Sequence, residues 1–166
     1  YEAVQKNKPL IERVVTVTGK SLEKPSNLLV RIGTPVAELI SFCGGLPSDN
    51  GKIISGGPMM GKALNNADIP VVKGTSGILV MKNDESRRRN TENCIRCAKC
   101  VSVCPMGLEP YLLERLVNNN EIETAAGSNI LDCMECGSCQ FICPSARPLL
   151  DYIRLGKGKA NKLSKK

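Results

Sequence analysis

The chain has 166 residues, with 23 Lys+Arg against 16 Asp+Glu and a formal charge of +7. Its 42% hydrophobic and 23% charged content excludes a disordered or collagen-like chain, and its length suits one medium domain or two small ones. The absence of His excludes Ser-His catalysis, His-ligated haem, Rieske centres and His-based zinc sites within this chain, whereas nine Cys stand out.

No apolar run reaches the ~18 residues that span a bilayer. The sequence begins at Tyr1, without Met or a signal peptide, so it is expected to be a piece of a longer polypeptide. Cysteine density divides it: residues 1–82 hold one Cys and residues 91–166 hold eight. Residues 83–90, Asn83 to Asn90, are polar and highly charged and read as a linker.

The first region reads as a small α+β domain. Glu12–Thr18 is β-branched and stops at Gly19, which predicts a strand. Asn27–Ile32 predicts a second, stopped by Gly33. Thr34 then reads as a helix N-cap with Pro35 at the first helical position. Val36, Leu39, Ile40 and Cys43 follow on one apolar face, and Gly44-Gly45 ends the helix. Lys52–Ser55 predicts a short strand running into Gly56-Gly57-Pro58-Met59-Met60-Gly61. Pro70–Lys73 and Ile78–Met81 flank Gly74-Thr75-Ser76-Gly77 as a hairpin or tight crossover. This order is that of a β-grasp domain over residues 1–82.

The second region, residues 91–156, reads as helical. Pro110 opens a helix whose apolar face is Leu112, Leu113, Leu116 and Val117. Pro148 opens another, with Leu149, Leu150 and Ile153 inward and Gly156 as its stop. Residues 157–166 then form a basic tail expected to be mobile.

Two stretches share the pattern C-x2-C-x2-C-x3-C-P: Cys94, Cys97, Cys100, Cys104-Pro105 and Cys133, Cys136, Cys139, Cys143-Pro144. Three Cys at intervals of three let a tight loop wrap a cubane, with intervening N–H groups aimed at its sulfides. The fourth, followed by Pro, leaves the wrap and reaches the other cluster. We therefore assign Cys94, Cys97, Cys100 and Cys143 to one [4Fe–4S] cluster, and Cys133, Cys136, Cys139 and Cys104 to a second. A disulfide scaffold fits this spacing poorly. Structural zinc more often pairs separated C-x2-C units. Each bound cluster carries about two negative charges, which lowers the formal +7 to about +3. Cys43 reads as a core residue.

Other motifs carry less. Gly19-Lys20-Ser21 lacks the first Gly of a P-loop, since Val14 stands there. Gly56–Gly61 reads as a tight turn, or as a surface meeting a neighbouring domain, cofactor or subunit. Arg87-Arg88-Arg89 and the Lys-rich tail could attract an acidic redox partner or an anionic membrane face. No nucleic-acid motif accompanies them, and few aromatics are available for stacking.

The segments Ser55–Gly61 and Val71–Ile78, followed by the doubled cysteine motif, closely resemble the C-subunit family of the Rnf ion-translocating ferredoxin:NAD+ oxidoreductase complex. The resemblance covers essentially the whole chain. It implies a soluble-ligand-binding (SLBB-like) β-grasp domain followed by a two-cluster ferredoxin domain with the eight Cys as ligands. It further implies an upstream flavin (FMN) and NAD(H) domain absent here, so this portion is a redox module with no catalytic residues of its own. Its partners would be other subunits of a membrane redox complex and ferredoxin. Its place would be peripheral, on the cytoplasmic side of a bacterial membrane, with Na+ or H+ transport in partner subunits. Two other functions share features with it: a cobalamin reductase of bacterial microcompartments and a zinc-stabilised interaction module.

Overall fold

The computed structural model describes residues 1–163, which fall into two compact units, Tyr1–Arg87 and the described residues from Arg88 onward. After a single helical turn, α1 (Glu2–Gln5), the first unit builds a five-stranded sheet. Its strands are β1 (Glu12–Thr18), β2 (Ser26–Arg31), β3 (Asn50–Ser55), β4 (Lys62–Ala63) and β5 (Gly77–Lys82), in the order β2-β1-β5-β3-β4. The central β1–β5 pair is parallel and the others antiparallel. Alternation decides the buried face: Val15 and Val17 of β1 and Ile78 and Val80 of β5 point inward, while Val14 and Leu29 face outward. Helix α2 (Val36–Phe42) fills the inner face with Val36, Leu39 and Ile40, and Cys43 behind it is fully buried. Burial pushes the Cys43 thiol up from its ordinary pKa, as suits a small core hydrophobe.

The structure departs from the sequence reading in this unit at three places. Thr34 does not cap α2; Pro35 occupies the N-cap position without a side-chain cap bond. The first helical N–H groups are instead satisfied by a distant loop, Val36 N–H donating to Ile69 O (3.0 Å) and Ala37 N–H to Ala67 O (2.8 Å). That loop continues into Pro70–Lys73, which is no strand. Pro70 lacks a donor, and the segment makes only an isolated bridge to Pro35. Val71, fully buried, pins it through backbone bonds to Gly33 and Thr34 (2.8 Å each). The partner of β3 is the two-residue β4, reached through a turn over Gly56–Gly61. Gly19 is required by close approach, since a Cβ there would lie 2.3 Å from Val80 O.

The expected linker is divided. Asn83–Ser86 forms a helical turn, α3, seated on β3: Asn83 N–H donates to Asp49 O (2.8 Å) and Lys52 Nζ to Ser86 O (3.1 Å).

The second unit is helical, with α4 (Lys99–Ser102), α5 (Pro110–Asn118), α6 (Ile122–Gly127), α7 (Ser138–Ile142) and α8 (Leu149–Leu163). A 3-10 turn over Ile130–Asp132 leads into the second cysteine motif. Leu113, Leu116 and Val117 of α5, Ile122 and Ala125 of α6, Ile130, and Ile153 and Ala160 of α8 form one aliphatic core. As expected, Pro110 sits in the first turn of α5.

Gly156 is not a helix stop. It lies inside α8, buried, where a Cβ would meet Val117 Cγ2 at 2.3 Å and Ile130 Cδ1 at 2.6 Å. The missing side chain permits α8 to lie close against α5. The expected mobile tail is likewise corrected, because 157–163 continue α8; residues 164–166 lie outside the described residues.

Two glycines of one helix therefore differ in sign. Gly158 faces open space, so Gly158→Ala should raise stability by up to about 1 kcal/mol through helix propensity. Gly156→Ala meets stiff neighbours and should lower it by about 1 kcal/mol net, overpacking exceeding the propensity gain. Thermal unfolding followed by circular dichroism checks both; equal stabilisation by the two would show that the α8–α5 contact is loose.

Candidate metal centres

Each residue of the first cysteine motif has a counterpart 39 positions on, Cys94 with Cys133 and Cys104 with Cys143. The backbone obeys the same repeat. Arg96 (φ 55) matches Glu135 (φ 58), Ala98 (φ 56) matches Gly137 (φ 80), and Gly107 (φ 64) matches Ala146 (φ 48). Left-handed residues alternating through each wrap turn successive N–H groups to one side, the form of a backbone anion nest. A short helix follows each wrap, α4 after Ala98 and α7 after Gly137.

The motifs meet because the end of the second is tied to the start of the first. Ser145 Oγ donates to Asn93 O (2.9 Å), Glu92 N–H donates to Ser145 O (2.9 Å), and Thr91 Oγ1 donates to Ala146 O (3.4 Å). Ser145 is buried in this junction.

Cys94, Cys97, Cys100 and Cys143 consequently line one cavity of about 730 Å³, with no other cysteine on its walls. Cys104, Cys133, Cys136 and Cys139 line another, of about 20 Å³, again without a cysteine of the other set. Among the described residues no three Cys, Asp or Glu side chains gather closely enough to hold a single metal ion. The first set stands around a space sized for a polynuclear group. The second offers the same donors around a narrower void.

Sulfur atoms already accept N–H donors. Leu108 N–H points at Cys104 Sγ and Glu135 N–H at Cys133 Sγ, each at 3.4 Å. Burial pushes Cys100 and Cys133 above the ordinary thiol range, and Cys139 up to about 11. Cys136 moves the other way, through its hydrogen bond with Ser138 Oγ. Metal ligation needs thiolates, so binding at Cys100, Cys133 and Cys139 would release protons. The donor set, its nests and its N–H bonds to sulfur fit iron–sulfur ligation.

Several residues around the centres escaped the sequence reading. Glu114, only 3% exposed, pairs with Arg147 (Nη2–Oε1 2.6 Å), and both line the first cavity with Arg96, Tyr111 and Arg115. Glu135, within the second motif, receives Arg154 Nε (2.9 Å) and Lys157 Nζ (3.0 Å), and Lys157 also donates to Cys133 O (2.6 Å). Burial opposes charge on Glu135, but hydrogen bonds from Lys157 and Arg154 outweigh it and hold the carboxyl below the usual range. Gln140 Oε1 accepts Leu150 N–H (2.9 Å), fastening the same motif to the start of α8. Arg96, Glu135 and Gln140 lie inside the motifs, whereas the Glu114–Arg147 pair, 33 positions apart, is assembled only by the fold. Cys43 belongs to neither set and stays in the core of the first unit.

Residues 14–63 match the SLBB domain family and residues 86–144 the 4Fe-4S dicluster domain family. The chain is 46% identical over 157 residues to the C subunit of the ion-translocating oxidoreductase complex of Rhodobacter capsulatus, covering 95% of this chain and 30% of that protein. It is 48% identical over 154 residues to the C subunit of the proton-translocating ferredoxin:NAD(+) oxidoreductase complex of Clostridium ljungdahlii, covering 92% and 34%. It is 46% identical over 149 residues to the C subunit of the Na(+)-translocating ferredoxin:NAD(+) oxidoreductase complex of Acetobacterium woodii, covering 90% and 34%. The chain therefore spans about a third of the length of these curated relatives. It comprises an SLBB domain followed by a 4Fe-4S dicluster domain, and the resemblance drawn from its glycine segments and doubled motif is borne out. No helix among the described residues is long and apolar enough to cross a membrane.

The contacts of Lys157 make it a clamp on the second motif. Lys157→Ala should lower the apparent melting temperature, corresponding to about 1–3 kcal/mol for a lost charge-assisted, partly buried hydrogen bond. Lys159→Ala, two residues further along the helix and exposed, should change it little. Differential scanning calorimetry compares them; identical small effects would return Lys157 to the status of a solvated tail residue.

Proposed function

We propose that this chain is the electron-relay portion of a C subunit of an ion-translocating ferredoxin:NAD+ oxidoreductase complex. Two [4Fe–4S] clusters carry single electrons, one held by Cys94, Cys97, Cys100 and Cys143, the other by Cys133, Cys136, Cys139 and Cys104. The observation that carries the reading is the sorting of eight thiols onto two cavities, four to each, with the fourth cysteine of each motif among the first three of the other. The names and identities of the relatives supply the complex.

In this reading the chain's residues bind, insulate and orient. Thiolates fix the clusters, N–H groups of Leu108 and Glu135 moderate the charge on sulfur, and Leu108, Leu150 and Ile153 keep water from the second site. FMN and NAD(H) bind in a further domain of the longer protein, which divides hydride pairs into single electrons. Ferredoxin and the other subunits are the exchange partners, the attachment to the membrane is peripheral on its cytoplasmic side, and ion transport belongs to the partner subunits. The SLBB unit is the first compact unit, through Arg87, and the dicluster unit is the second, from Arg88 onward.

Anaerobic purification of the full-length protein with its partners tests this. About eight iron and eight sulfide per chain are expected, with flavin elsewhere in the longer protein; two zinc without sulfide would instead leave an interaction module. Cys104→Ser tests the ligand sets. It should damage the cluster of Cys133, Cys136 and Cys139 in the paramagnetic resonance of the reduced protein. Selective loss of the cluster of Cys94, Cys97 and Cys100 would refute the crossed sets.

A further inference from the structure

The internal repeat makes the two cysteine cavities comparable position by position, and they are unequal. Arg147 lines the first cavity four residues after Cys143; its counterpart after Cys104 is Leu108, which lines the second. Glu114 and Tyr111 line the first; their counterparts Ile153 and Leu150 line the second. Arg115 lines the first, whereas its counterpart Arg154 is engaged with Glu135. Within the motifs, Arg96 stands where the second has Glu135.

The first cavity therefore carries Arg96, Arg115 and Arg147 against Glu114 alone, and the second has no charged side chain on its walls. Glu135, within the second motif but off the walls of its cavity, is paired with both Arg154 and Lys157. Exposure follows the same division. Cys94 and Cys97 are exposed, whereas all four cysteines of the second set are partly or fully buried.

Resting on the relay reading above, we infer that the Cys94/Cys97/Cys100/Cys143 cluster has the higher reduction potential of the two, set by Arg96 and Arg115. Reduction adds one negative charge to a cluster that already carries about two. Nearby cations and water favour that added charge, and a dry aliphatic wall opposes it. One electron then passes from the reduced cluster of the second set, which returns from 1+ to 2+, to the cluster of the first, which goes from 2+ to 1+. No bond breaks and no proton moves. The electron comes to rest at the cavity open to solvent.

The two arginines are suited to the test because both are exposed, and neither belongs to the buried Glu114–Arg147 pair. Redox titration of the full-length, anaerobically purified protein, followed by paramagnetic resonance, should give two distinct midpoints. Cys97→Ala should abolish the signal with the higher one. Arg96→Gln/Arg115→Gln should lower the higher midpoint and leave the lower one in place. The difference between wild type and variant should shrink at high salt, as exposed charges are screened. Arg115→Gln alone should give a smaller shift of the same sign. Coincident midpoints in the wild type, loss of the lower-potential signal in Cys97→Ala, or a variant that moves the lower midpoint or neither would overturn the inference while leaving the relay intact. A wild type lacking iron and sulfide would overturn both.

Discussion

The second unit depends on one junction: the buried Ser145, whose hydroxyl donates to Asn93 O and whose carbonyl accepts Glu92 N–H, across 52 residues of chain. It ties the end of the second cysteine motif to the start of the first. With it, Cys143 stands beside Cys94, and the repeat brings Cys104 beside Cys133. Closing so long a loop costs conformational entropy. Three hydrogen bonds at the junction and the aliphatic core of α5, α6 and α8 act against that cost. A bound cluster ligated from both motifs would add a covalent tie at the same place, so folding of this unit and cluster retention are coupled.

The wraps themselves hold unfavourable backbone. Arg96, Ala98, Glu135 and Ala146 are left-handed without being glycine, each at a cost on the order of 1 kcal/mol. Equivalent positions adopt this conformation in both halves, so the geometry belongs to the motif and not to a local accident. Its return is the alignment of N–H groups toward sulfur, already made at Cys104 and Cys133. The first wrap is exposed, and few packing contacts hold it. The second is fastened from outside by Glu135 to α8 and by Gln140 to the start of that helix. The two halves thus share a backbone but differ in what secures it.

That difference explains how far the sequence could be read. The β-branched runs of β1 and β2, the apolar face of α2 and the eight cysteines were legible because each depends on neighbours a few residues away. The end of α8 was not, because Gly156 looks like a helix stop until Val117 and Ile130 are known to press on it. The tail looked mobile for the same reason: Lys157 is ordered by Glu135, which lies 22 positions earlier. Pro70–Lys73 carried strand residues, but its hydrogen bonds go to the turn before α2, and the two-residue β4 took the sheet edge with no propensity signal. Around the metal centres the ligands were visible and their electrostatic surroundings were hidden. Apart from Arg96 in the first motif, the charged residues of the first cavity lie on α5 and after the second motif, positions that only the fold assembles.

The Glu114–Arg147 pair joins stability to function. A buried ion pair is a weak source of stability, since desolvation of both charges opposes their attraction. Here the same frame accepts hydrocarbon: the counterparts of Glu114 and Arg147 are Ile153 and Leu108, both buried and both lining the second cavity. Packing alone therefore does not call for the ion pair. Its position on the wall of the first cavity, with Arg147 beside Cys94 and Cys143, gives that cavity fixed polar groups where its twin has aliphatic ones. A duplicated motif with identical ligands would otherwise offer an electron two equivalent resting places. Unlike side chains at equivalent positions give the pair a direction, and the buried charges are the part of that asymmetry that solvent screens least.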